Sequence, residues 1–330
     1  MEWSSPEIQR LSLVIGSLLA LAWKDRQGIL PGGIIVPGFL TNLLLLSPMW
    51  GFLVVGIGYL SQWIYQHWLE RLEHQRRLPM YILGALSLGI STPCAFAVIQ
   101  LGLLPDSIDS ISGSLLPGVI AFNLHRQGWR PVTQGMLLTT AATLGLTLAV
   151  VVLGINLFQA DFNFLQRYYA HSENIHIQAK AVQFLITLIL GMLLYKRTQL
   201  RPGGYVVAPM AAALLLHPLS AMMFVVGCIS VERAIQLISQ KSLMIGLNRY
   251  VVSLLLSTGY IWTMELLFIQ SGVQALPFQA NHILVIIAIL SYANDLTLHD
   301  RKRVLPWMLL LIASAAVVLW LTHQLLELAG

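Results

Sequence analysis

Apolar runs and short polar gaps alternate along the whole chain. The runs lie at 11–23, 28–46, 50–68, 79–104, 114–124, 135–158, 182–195, 203–216, 221–238, 243–269, 282–294 and 305–326. They are continuously apolar, as from Leu137 to Val152 and from Leu305 to Leu321. A barrel strand would instead alternate apolar and polar residues. Lipid offers no partner to a free backbone N–H, so only helices or closed barrels span it. Continuous runs therefore predict helices. Several runs fall short of the roughly 20 residues a crossing needs. These are expected as half-helices, as re-entrant loops, or as spans completed by flanking polar residues, buried in protein or lining a wet cavity. The fold class predicted is all-α: a polytopic membrane helical bundle of about 10–12 segments.

Composition agrees. Hydrophobic residues make up 57% and charged residues 10%, and the mean hydropathy is +0.74. A soluble domain carries about 25% charged residues, so water alone cannot solvate this surface. The net charge of +5 would suggest nucleic acid on a soluble protein. Here the cations stand at the ends of apolar runs, where membrane orientation explains them and no nucleic-acid partner is needed. If Lys24 and Arg26 face the cytoplasm and every run crosses, most cations fall on that side. Arg71, Arg76, Arg77, Arg126, Arg130, Lys196, Arg197, Arg201, Arg233, Lys241, Arg249, Arg301, Lys302 and Arg303 do so, and Arg10, Arg167 and Lys180 lie outside. The start, 1–10, lacks a basic n-region, so the first run is expected to remain as a membrane anchor. Cys94 and Cys228 lie inside apolar runs and are read as buried thiols; no metal site or disulfide framework is expected.

The chain repeats itself. At a shift of 171 residues, Pro31-Gly32-Gly33 falls on Pro202-Gly203-Gly204, and Asn123 on Asn294. With one-residue slips, Ser47-Pro48 meets His217-Pro218 and Arg77 meets Arg249. This predicts two parallel tandem repeats, at 1–160 and 182–330, joined by a polar extracytoplasmic connector at 161–181.

Pro31-Gly32-Gly33-Ile34-Ile35-Val36-Pro37-Gly38 is the sharpest local feature. Proline removes a donor and glycine admits positive φ, so an unbroken helix is not expected. The weaker second copy is Pro202, Gly203, Gly204 and Pro209, and Pro117-Gly118 forms a third break. Interrupted helices either build a solute site or let helices approach closely through small residues. Asn123 and Asn294 are polar interior candidates, serving function or an interhelical hydrogen bond. Glu265 is an intramembrane acid, a functional candidate by default, or it snorkels to the interface. Arg71, Arg76 and Arg77, with Arg249 and with Arg301, Lys302 and Arg303, form basic cytoplasmic loops. They orient the chain on anionic lipid or dock an acidic partner or polymer. No phosphate loop, metalloprotease helix or nucleophile elbow is present, so no catalytic residue and no cofactor are expected.

The stretch from Gly28 to Leu40 resembles the signature of the CapC/PgsC family, small membrane subunits of poly-γ-glutamate capsule synthesis. Leu116 to Gly128 is similar to that family's second motif. Arg76-Arg77, and Gly246 to Tyr250, sit where the family has a basic cytoplasmic loop. The resemblance covers 8–158 and, more loosely, 182–327; a typical member is as long as one repeat. It implies a bacterial inner-membrane location and a cytoplasmic ATP-dependent amide ligase partner of the Mur-ligase type, CapB/PgsB. It also implies an extracytoplasmic partner, CapA/PgsA, and an anionic polymer. The expected function is a non-catalytic subunit that anchors the ligase and helps the polymer outward. The residues by themselves suit an autonomous secondary transporter for a small solute equally well.

Overall fold

The computed structural model describes residues 5–72, 78–102, 113–162, 164–165, 177–200, 204–214, 217–241, 246–272, 276, 278, 282–299 and 301–329. Each of the twelve apolar runs holds one helix. In order they are α1 (Pro6–Gln27), α2 (Val36–Leu46), α3 (Pro48–Ile64), α4 (Leu78–Gln100), α5 (Leu116–Gln127) and α6 (Trp129–Phe158), then α7 (Ile177–Thr198), α8 (Gly204–Leu214), α9 (Pro218–Lys241), α10 (Leu247–Gln270), α11 (His282–Leu298) and α12 (Arg301–Ala329). No strand occurs among the described residues. Among the described residues, five helices are long and apolar enough to cross a membrane: Pro79–Gln100, Trp129–Phe158, Pro218–Lys241, Leu247–Gln270 and Arg301–Leu325. The chain is a polytopic membrane protein of helical class.

Proline starts helices here. Pro6, Pro37, Pro48 and Pro117 all stand in the first turn of α1, α2, α3 and α5. There the missing N–H has no intrahelical acceptor to lose. Helix α1 stops at Gly28, whose φ of 72° lets its N–H reach the Lys24 carbonyl at 2.7 Å. Lys24 and Arg26 in that last turn complement the dipole. Helix α3 widens at its end into a π-turn, Tyr65–Leu69, and then tightens into a single 3-10 turn, Glu70–Leu72.

The chain divides into two compact units, Met1–Arg167 and Tyr168–Gly330. Among the described residues each contains six α-helices, of 22, 11, 17, 23, 12 and 30 residues in the first unit and of 22, 11, 24, 24, 17 and 29 in the second. In the first, α5 packs against α3 and α4, and α2 against α1 and α6. In the second, α11 packs against α9 and α10, and α8 against α7 and α12. The two short helices of each unit are thus each wedged between two long ones. Helix α11 is buried without interruption from His282 to Leu290. A helix apolar all round belongs inside protein.

Three expectations change. Pro209 breaks nothing: α8 runs through it, and its carbonyl accepts from the Gln183 amide at 3.2 Å. Pro117 begins α5 instead of interrupting a longer helix. Arg249 is not the counterpart of Arg77. Along α4 and α10 the buried positions coincide at a shift of 170, with Tyr81, Ser87 and Ser91 against Val251, Ser257 and Ile261. That register sets Arg249 against Pro79.

Candidate functional site

Between α1 and α2, residues 28–35 run without helix, so their peptide groups need other partners. Gly32 and Gly33 have φ of 74° and 136°, which side-chain-bearing residues rarely adopt. A Cβ on Gly33 would stand 2.9 Å from Val119 Cγ1 and 3.5 Å from Asn123 Nδ2. The glycine is what lets the segment lie against α5.

Helix α5 supplies the partners. Asn123 and Gln127 stand one turn apart, on one face. Asn123 Nδ2 donates to the Gly32 carbonyl and to the Val119 carbonyl, both at 2.8 Å. Gln127 Oε1 accepts from the Leu30 N–H at 2.8 Å. Gln127 Nε2 donates to Asn123 Oδ1 at 2.9 Å and, more weakly, to the Leu30 carbonyl at 3.5 Å. Two side-chain amides therefore do for this segment what a neighbouring strand would do. Pro31, Gly32, Gly33 and Asn123 are all buried.

The other end of the motif is a helix crossing. A Cβ on Gly38 would lie 2.5 Å from the Ser12 carbonyl and 2.6 Å from Leu13 Cα, and one on Gly16 would collide with the backbone of Gly38. Ser12 and Asn42 bond across this crossing, and Asn42 Nδ2 donates to the Gln9 carbonyl at 3.0 Å. Gly118 serves a similar approach elsewhere, its Cβ position 2.8 Å from Gly84 Cα. The structure thus gathers Pro31, Gly32, Gly33, Pro37, Gly38 and Asn123 around one segment, leaves Gly118 on the α4–α5 contact and sets the Pro117 carbonyl against Gly58 of α3.

The second unit is built differently. Asn294 Oδ1 accepts from Arg249 Nε at 3.0 Å. The residue 171 after Gln127 is Leu298, which cannot clamp a backbone. Gln183, fully buried, donates to the Pro209 and Ala315 carbonyls, both at 3.2 Å. It stands 171 residues after Ser12, whose hydroxyl faces the Gly38 carbonyl at 3.5 Å. Glu265 is fully buried, which is not a snorkelling position. It lies 16 residues along α10 from Arg249, about 24 Å at 1.5 Å per residue, and belongs to a different region. Arg71, Arg301, Lys302 and Arg303 are exposed. Arg76, Arg77, Pro202 and Gly203 lie outside the described residues, and Gly204 opens α8.

Four residues escaped the sequence reasoning. Gln127 could have been found from its one-turn spacing to Asn123. Glu232 lay within the run 221–238 yet is 2% exposed. Its carboxylate takes Arg301 Nε at 2.8 Å, Arg301 Nη2, and Gln236 Nε2 at 2.9 Å. Gln183 and Arg10 are both fully buried, and a polar residue at the edge of an apolar run does not announce its burial.

The family model for capsule biosynthesis CapC matches this sequence twice, at residues 15–133 and 186–305. The two matches begin 171 residues apart and end 172 apart. The capsule biosynthesis protein CapC of Bacillus anthracis is 30% identical over 146 residues, covering 43% of this chain and 91% of that protein. The PGA biosynthesis protein CapC of Bacillus subtilis (strain 168) is 27% identical over 138 residues, covering 40% of this chain and 89% of that protein. No solved structure matches the chain.

Proposed function

The chain belongs to the CapC family of capsule biosynthesis, and on that premise we propose that it is a non-catalytic membrane subunit of a complex that makes and exports a poly-γ-glutamate-type polymer. It sits in the bacterial inner membrane. It anchors a cytoplasmic ATP-dependent amide ligase of the Mur-ligase type and works beside an extracytoplasmic subunit. The observation that carries this reading is the double match, in which nearly the whole length of each relative is accounted for by less than half of this chain.

Two features give the reading a physical content. The clamped segment 28–35 lets the backbone leave helical form inside the bundle without stranding its polar groups, which is how membrane proteins build interior surfaces. The first unit exposes Arg71, and the second exposes Arg301, Lys302 and Arg303, which together form a basic face. Guanidinium forks recognise carboxylates, and a basic face draws a polyanion to it over a Debye length.

Affinity purification from native membranes followed by mass spectrometry tests the anchoring. Recovery of an ATP-dependent amide ligase is the expected result. A chain that purifies without one, and that moves a small solute across liposomes alone, would make it an autonomous transporter. The steering claim has its own test. Replacing Arg76, Arg77 and Arg249 together by Gln should lower polymer output, and unchanged output would remove steering.

A further inference from the structure

We infer that the second unit carries a carboxylate-binding site made of Arg249 and Arg301, with no equivalent among the described residues of the first unit. The inference rests on the polyanion reading above and assigns it to two side chains in one repeat.

Both arginines are held by one edge. Arg249 commits Nε to Asn294 Oδ1 at 3.0 Å. Arg301 commits Nε and Nη2 to Glu232 Oε1. Among the described residues, both Nη groups of Arg249 and Nη1 of Arg301 are left to donate, although the Asp295 carboxylate already acts on the Arg249 charge, so an incoming carboxylate competes with it there. A guanidinium fixed by one edge and open at the other is pre-organised for a carboxylate, since its rotamer freedom is already spent. Both also reach water: Arg249 is half-buried, and the Arg301 side chain is 44% exposed while that of Glu232 is 3% exposed. They gather at one end of α11. Asn294 is in its last two turns, and Arg301 opens α12 three residues after Leu298. The charge distribution assigns this end to the cytoplasmic side, where a polymer made in the cytoplasm would arrive.

Comparison of the repeats shows that the anchor is specific to one of them. Pro48 and Pro218 begin α3 and α9, which sets Gln62 against Glu232 and Gln66 against Gln236. Gln62 Nε2 donates to Gln66 Oε1 at 2.8 Å, and Gln236 Nε2 donates to Glu232 Oε1 at 2.9 Å. A one-turn bond persists with donor and acceptor reversed, because the second unit has exchanged the first amide for a carboxylate and recruited an arginine to it. At the start of α6, the first unit has Trp129 and Arg130, both exposed, with the Arg130 guanidinium 5.2 Å from the Trp129 ring centroid. Among the described residues, no buried acceptor fixes Arg130.

The ligand class follows from this geometry: a flexible chain bearing carboxylates at close intervals, so that two can reach two anchored guanidinium groups. The probe is a short fluorescent γ-linked glutamate oligomer, titrated into the purified full chain in zwitterionic nanodiscs. Two variants are decisive. Arg249→Gln removes one donor set. The pair Glu232→Gln with Arg301→Gln removes the other while restoring the amide chemistry of the first unit, so the fold is preserved. Each should weaken binding about tenfold, as expected for a lost charged hydrogen bond, and Arg130→Gln should leave it unchanged. Undiminished binding in both variants, or an equal loss with Arg130→Gln, overturns the site and leaves the polyanion reading in place. Failure of the wild-type chain to bind the oligomer overturns the site as well, while ligase co-purification still judges anchoring separately. Retention of anionic lipid by the wild type but not by the variants, without oligomer binding, would give the pair to a lipid headgroup and overturn the polymer site.

Discussion

Arg301 and Glu232 are unequal partners. The carboxylate is buried and the guanidinium is half in water, so deleting one is not like deleting the other. Arg301→Gln alone leaves a buried anion with only the Gln236 amide, and a stranded buried charge costs on the order of 3 kcal/mol. Adding Glu232→Gln removes that anion and should recover most of the loss. Thermal unfolding of the detergent-solubilised chain checks this, and equal melting points for the single and double variants would refute it. The two asparagines diverge by the same logic. Asn123→Ala strands the buried Gly32 carbonyl and should cost about 1–3 kcal/mol. Asn294→Ala frees a half-buried arginine that regains water, so its effect should be smaller. A shift in melting temperature no larger for Asn123→Ala than for Asn294→Ala would mean that the clamp on residues 28–35 does not bear on stability.

At the scale of elements, glycine separates crossings from lipid-facing positions. A Cβ at Gly38 would meet the α1 backbone, whereas a Cβ at Gly56 in α3 or at Gly89 in α4 meets nothing within 4 Å. Gly38→Ala should therefore destabilise by forcing α1 and α2 apart. Gly56→Ala and Gly89→Ala should be neutral or stabilising by about 0.5–1 kcal/mol, the ordinary gain of alanine over glycine in a helix. Melting curves of the three variants decide it. The same contrast shows what was legible in the sequence. Each run gave one helix because apolar continuity over a dozen residues has no other solution in lipid. The non-helical stretch 28–35 was legible because three glycines and a proline crowd into it. Helix bounds and the role of proline were less so: Pro209 stands inside α8 and Pro117 opens α5, and only the distance to the helix start distinguishes the two cases. The partners of the stretch were half legible. Asn123 recurs at the repeat spacing as Asn294, whereas Gln127 recurs as Leu298, so the repeat marks the first and not the second. The Glu232–Arg301 pair joins residues 69 apart and follows no local pattern.

At the scale of the molecule, the two units keep one packing scheme on a drifting register. Buried positions coincide at a shift of 171 along α1 and α7, as in Ser12 with Gln183 and Leu13 with Phe184. The shift is 170 along α4 and α10, and 172 along α6 and α12, where Val132, Met136 and Thr143 answer Val304, Met308 and Ala315. One-residue changes absorbed between helices leave the helix contacts intact, because a connection tolerates insertion where a packed face does not. What has changed is the chemistry of the faces. Thr139 and Thr147 of α6 are answered by Leu311 and Leu319 in α12, so the second unit has shed hydroxyls from that contact while gaining charge at the end of α11. Duplicated units that diverge in this way retain their own cores, and the relatives match over 91% and 89% of their length with a single repeat's worth of chain. Residues 1–167 expressed alone should therefore insert and run as a monodisperse species in fluorescence-detected size exclusion. They should keep a cooperative melt that Asn123→Ala lowers as it does in the whole chain. Aggregation of the isolated unit, with the full chain well behaved in the same detergent, would mean that its stability depends on the second repeat. A first unit that folds alone but supports no polymer output when co-expressed with the ligase would place the indispensable chemistry in the second, where the anchored arginines are.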